Sequence, residues 1–166
     1  MKHLILMVMF FAPLATFAQK FGHCDAQSIM QQMPEFIKAK GEVDALQKQK
    51  ENDLKSMQEE LQRKYEAYEK NQSTMSASKK EETEKELAEL NQKIQQAFQD
   101  GQQELAKASQ ERMQPITNKL VQAIKNVGKN GGYVYIMDIA SGIPYISDTL
   151  SKDVTSDVKA ELNKIK

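Results

Sequence analysis

At 166 residues, with 28% charged side chains, 7% aromatics and no tryptophan, the chain is the size of one domain but lacks the makeup of an ordinary globular core. Its 23 Lys+Arg balance 23 Asp+Glu, so no sequence-wide basic field exists to hold nucleic acid. A single cysteine excludes an internal disulfide, and two histidines leave little from which to build a zinc site or a Ser-His-Asp arrangement.

Met1-Lys2-His3 followed by the apolar run Leu4 to Phe11 is a short basic head on an apolar core, the pattern of a secretory signal. Pro13 supplies a break, and the small residues Thr16 and Ala18 offer a cleavage site before Gln19. Residues 1–18 therefore read as a signal peptide. The run is too short for a permanent anchor, which needs roughly 20 apolar residues. Phe21-Gly22-His23 before Cys24 lacks the small apolar residues that lipid attachment requires. The mature chain is expected to be soluble and outside the cytoplasm, with 22 Lys+Arg against 23 Asp+Glu once Lys2 is gone. His23 is then its only imidazole, and Cys24 reads as a packed thiol.

Lys20 to Cys24 reads as a short strand, and Asp25 is placed to cap a helical turn from Ala26 to Met33. Pro34 restarts the chain as a helix, since proline is tolerated in a first turn. From Glu35 to about Asn71 the only glycine is Gly41. Val43, Leu46, Leu54, Met57, Leu61, Tyr65 and Tyr68 are spaced mostly by three, four or seven, which makes a narrow amphipathic stripe.

Asn71 to Ser78 breaks that stripe with small and hydroxyl residues and is the natural reversal point. Ser78 is placed to cap the next helix, with Glu81 completing a capping box. Leu87, Leu90, Ile94, Phe98, Gly101, Leu105 and Ala108 repeat at three and four, and the stripe continues through Met113, Ile116, Leu120, Ile124 and Val127. Steps of eleven, Leu87 to Phe98 and Ile94 to Leu105, favour a straight pair over a strongly left-handed coil. Two such helices joined by a short reversal lie antiparallel, at about 55 Å and about 75 Å long. Pro115 should kink the longer one where the arm meets its base.

Gly128, Gly131 and Gly132 should end this helix. Tyr133 to Asp138 is a β-prone hexamer, Ser141-Gly142 a turn, and Ile143 to Ser147 a second strand, so the pair reads as a hairpin with Pro144 at an edge. Asp153-Val154-Thr155 opens a short helix to about Ile165, with Val158, Leu162 and Ile165 on one face. The fold class is mainly α with a small β base: a long antiparallel helical arm, residues 35–114, standing on a strand-rich base from residues 19–34 and 115–166. Such a base is too small to bury a core alone and should oligomerise. Phe21, Val134, Ile136 and Ile146 are the residues expected to meet other subunits.

The order strand, short helix, long hairpin arm, strands and closing helix resembles the Skp/OmpH family. Phe21-Gly22-His23-Cys24-Asp25 leading into Met33-Pro34-Glu35 is similar to its opening strand and turn. Pro115-Ile116, then Gly132-Tyr133 leading into Ile136-Met137-Asp138, resembles its return to the base, and Asp153 to Val158 its closing helix start. The resemblance covers the mature chain, and its two ends carry the specificity.

That resemblance implies a periplasmic homotrimer that holds unfolded outer-membrane proteins before insertion. The export signal into a compartment without an ATP supply, the lack of a nucleotide-binding loop and the narrow amphipathic stripe add the expectation of passive, ATP-independent capture. It also implies the outer-membrane assembly machinery as a partner. Well-studied members are markedly basic, whereas this chain is near neutral, which points to weak or no direct membrane binding. A holdase needs adaptable amphipathic surface, and Met57, Tyr65, Tyr68, Met75, Leu90 and Phe98 offer it. The same side chains would also serve as the seam between the two helices.

The competing class is a structural coiled-coil spacer or adaptor of the cell envelope. For an enzyme there is no phosphate-cradling glycine loop, and Asp138, Ser141 and Ser147 at strand ends are of turn-forming type. Lys79 to Glu86 reads as a solvated helix face with internal ion pairs. No cofactor and no metal is implied.

Overall fold

The computed structural model describes residues 19–165; the expected signal segment, 1–18, lies outside the described residues. Strand β1 (Lys20–Cys24) leads into α1 (Ala26–Gln32), α2 (Pro34–Asn71), a short 3-10 turn (Gln72–Thr74) and α3 (Ala77–Gly131). Then follow β2 (Tyr133–Asp138), a second 3-10 turn (Ile139–Ser141), β3 (Ser151–Asp153) and α4 (Thr155–Leu162).

Local chemistry accounts for most of these boundaries. The Asp25 carboxylate accepts the Ser28 N–H at 2.7 Å and caps α1, and the Asp25 N–H donates to Thr155 Oγ1 at 3.1 Å, tying this cap to the start of α4. Pro34 opens α2 with no side-chain cap, as a residue whose missing donor is harmless in a first turn. α3 is capped by Ser76, whose hydroxyl accepts the Lys79 N–H at 3.3 Å, two residues before the expected Ser78. It ends on Gly132 at φ 67°, a left-handed turn that glycine adopts without a Cβ penalty.

The two long helices, about 57 Å and about 83 Å by their residue counts, lie side by side. Tyr68 donates to Glu84 near the reversal. Moving away from it, Lys64 pairs with Glu86, Lys50 with Glu104, Arg112 with Glu42 and Lys119 with Glu35. α3 thus returns along α2 for its whole length and overshoots it by several turns. Pro115 lies inside α3 without ending it, beside Ile116, where the returning helix enters the base core.

That core is built from five elements: Cys24 of β1, Ile29 of α1, Ala39 of α2, Ile116, Leu120 and Ala123 of α3, and Val158 and Leu162 of α4, closed by Met33 and Val154. The base therefore has a buried interior within one chain, although only twelve hydrophobic residues in all are buried among those described.

The expected strand hairpin is not formed. The three strands lie in the order β2-β1-β3, with β1 in the centre and parallel to both neighbours. Residues 143–147 form no strand, and the third strand is Ser151–Asp153. Pro144 lacks the donor a ladder needs, and β1 offers an edge on each side. Because β2 and β3 point the same way, residues 139–150 must cross over β1 between them. The crossover passes over the outer face of the sheet, where Ile143, Tyr145, Ile146 and Leu150 meet Phe21 and Tyr135.

Candidate functional site

The arm buries little. Between residues 40 and 114 the fully buried positions are Ile94, Gly101 and Ala108. Of the six residues expected to touch clients, Met57, Tyr68, Met75 and Leu90 are half-buried. Tyr65 and Phe98 are exposed, at 49% and 53% of their surface. The structure therefore strings them along both helices rather than gathering them in one pocket, and most serve as seam and surface together. Tyr68 is the most constrained, since its phenol donates to Glu84 and that bond raises its pKa.

Midway along the arm, Phe98, Leu54, Val43 and Leu105 border a groove of about 530 Å³. Gly101 forms its floor, and the Lys50 stem crosses above on its way to Glu104, 2.6 Å from the ammonium. Outside the seam the arm is solvated, with Lys40–Asp44, Lys79–Glu82 and Lys85–Glu89 pairing along single helices. Such exposed pairs contribute little to stability.

The second surface is the outer face of the sheet. Phe21 and Tyr135 stack with ring centroids 4.8 Å apart. By strand alternation His23 and Met137 share their side. With the crossover they line an apolar groove of about 330 Å³. The crossover covers the face only in part: Tyr135 and Met137 of the sheet stay 48% and 40% exposed, and the crossover's own Tyr145 and Leu150 are about three-quarters exposed, at 77% and 75%.

Of the four residues expected at an assembly surface, Phe21 and Ile146 line this groove. Val134 and Ile136 alternate to the other side of β2. Val134 is exposed, while Ile136 packs against its own chain's core. Sequence reading missed Tyr135, Met137, Tyr145 and Leu150. The period of two shared by Phe21/His23 and Tyr135/Met137 was the available signal for the first two.

Polar residues at the strand ends are occupied by turn formation. Asp138 accepts the Ala26 N–H at 3.3 Å and the Ala140 N–H at 3.1 Å. Asp153 accepts the Thr155 N–H at 2.8 Å, and its hydrogen bonds from Thr155 hold its carboxyl below the ordinary range. Cys24 is buried, and desolvation, reinforced by Asp138, Asp153 and Asp25, pushes its thiol up to about 11. Among the described residues no cluster of His, Cys, Asp and Glu could hold a metal ion, and no helix is long and apolar enough to cross a membrane.

The described residues thus form a slender two-helix arm rooted in a small base whose sheet has an apolar outer face. Residues 20–162 match the family of outer membrane proteins described as OmpH-like, and the chain belongs to that family. The chain is 27% identical over 141 residues to "Chaperone protein Skp" of Pectobacterium atrosepticum, covering 85% of this chain and 84% of that protein. The same identity and coverage hold for "Chaperone protein Skp" of Yersinia enterocolitica. A crystal structure from Caulobacter crescentus CB15, described as an OmpH-like outer membrane chaperone, superposes with a TM-score of 0.74 at 14% identity. The match covers 88% of this chain and 85% of that one and extends the likeness to the fold.

Proposed function

We propose that this chain is an exported, periplasmic holdase that captures unfolded outer-membrane proteins on its antiparallel helical arm, residues 35–114, without ATP. The observation that carries this reading is the thinness of the arm's seam: over some 75 positions only Ile94, Gly101 and Ala108 are fully buried. Apolar and aromatic side chains along it keep part of their surface in water, and methionine and tyrosine among them adapt to many sequences. Relatives named chaperone support the same reading.

The base, residues 19–34 and 115–166, is proposed to join three copies. Strand β2 leaves one edge unpaired, and Tyr133-Val134-Tyr135-Ile136-Met137-Asp138 carries no proline or lysine, the devices that protect free edges. Beside it lie Tyr135 and Met137, at 48% and 40% exposed, and the apolar groove. Further copies of this chain satisfy both the open edge and the apolar face. Three arms raised from one base would then enclose a space in which a client is shielded from other unfolded chains.

The test is suppression of aggregation of several unrelated unfolded outer-membrane barrels without nucleotide, beside a mass measurement by light scattering. Capture by the wild type, weakened when Tyr68, Met75 and Phe98 are all changed to Ser while the mass stays near three chains, is the expected result. A requirement for ATP would overturn the reading. A chain that protects none of these barrels is instead a spacer or adaptor of the envelope.

A further inference from the structure

His23 occupies the middle of β1, the central strand, with Met137 beside it on β2 and Asp153 on β3. Its Nδ1 lies 2.9 Å from Ser151 Oγ, which fixes the ring in the sheet's outer face among Phe21, Tyr135 and Met137. This is the only histidine after the export signal.

We propose that His23 makes self-association of the base pH-dependent: a second copy of this chain seated on the outer face is held while the imidazole is neutral and loosened when it is protonated. The inference rests on the reading of that face as the assembly surface.

The argument is one of solvation. On a free chain the half-buried ring can turn its second nitrogen to water. Under a partner's apolar surface the water is gone, and an imidazolium without a second acceptor is strongly disfavoured.

The charged and titratable groups around the ring do not remove that cost. Asp153 on β3 interacts electrostatically with His23, but it stays exposed and is engaged by Thr155. Lys159 of α4 acts on the same carboxylate and offsets part of its charge. The phenols of Tyr135 on β2 and Tyr145 in the crossover line the same groove and bring hydroxyls rather than carboxylates. Ser151 engages only Nδ1. An imidazole ordinarily changes charge between pH 5 and 8, so the balance tips within a mild acidification. Loosening the base would spread the arms and discharge their client.

The test uses the full mature chain in sedimentation velocity at pH 8.0, 6.5 and 5.5 and constant ionic strength. The dissociation constant of the wild type should rise by about tenfold or more on acidification, while that of His23→Gln should stay nearly flat. Asp153→Asn, which removes an offsetting carboxylate, should give a steeper response than the wild type. Independently of any variant, the His23 ring protons followed by NMR should titrate at lower pH in a concentrated, assembled sample than in a dilute one.

A trimer at pH 8.0 whose association is unchanged at 5.5, or an equal loss in His23→Gln, overturns this proposal and leaves the assembly reading standing. A monomer at pH 8.0 overturns both.

Discussion

Gly101 of α3 faces Lys50 of α2 so closely that Lys50 Cβ lies 3.8 Å from the point a Cβ on residue 101 would occupy. That is ordinary van der Waals contact, so the arm has room for a methyl group there. Gly101→Ala should raise stability by about 0.5–1 kcal/mol, the helix-propensity difference. Gly101→Leu should lower it, because a larger side chain displaces the Lys50 stem and its pairing with Glu104. Thermal unfolding by circular dichroism reads both, and a lowered midpoint for the alanine variant would show that the helices cannot accept the contact.

The start of α3 offers a clean pair of substitutions. Ser76→Ala removes the hydroxyl that accepts the Lys79 N–H and should cost about 1 kcal/mol. Ser78→Ala, inside the helix, should cost little. Equal losses from the two would mean that the cap sits elsewhere.

At the root of the arm, Glu35 accepts from Lys119 at 2.7 Å and Glu42 from Arg112 at 2.8 Å. Each bond holds its carboxyl below the usual range. A carboxyl depressed by folding contributes stability that is full above its unfolded value, about 4.3. That contribution is lost as pH falls through the folded value. Melting midpoints should therefore fall below about pH 4, and the fall should be smaller in the double variant Glu35→Gln, Glu42→Gln. Both carboxylates are exposed, so the effect is modest. An identical acid profile in the double variant would sink it.

Cys24 sits at 1% exposure, with its thiol pushed up to about 11 by burial and three nearby carboxylates. At pH 8 it should react with a thiol-specific reagent only at the rate at which the base opens. Full labelling within seconds under native conditions would contradict the packed environment.

The periodicity of the long segments was legible because an arm exposed on most sides leaves its stripe unmixed with other signals. Pro34, Asn71 and Gly132 mark helix ends through proline's harmless missing donor, loss of the stripe, and glycine's left-handed backbone. These are local effects, written within a few residues of where they act. The cap at Ser76 rather than Ser78 is local too, but two hydroxyl residues two apart offer equivalent caps.

The base is where tertiary structure decided. Tyr133 to Asp138 is β-prone by itself, yet its partner could not be read from neighbouring sequence. Adjacency along the chain suggested a hairpin with residues 143–147. The long helices instead carry the chain back to the other end of the sequence, so β2 pairs with β1, more than a hundred residues away. With β1 central, residues 139–150 cross the sheet instead of joining it, and alternation sends Ile136 into the chain's own core and Tyr135 outward beside Phe21. Strand propensity depends on nearby residues, whereas the choice of partner depends on which edges the folded helices bring together, and that geometry exists only once the whole chain has closed on itself.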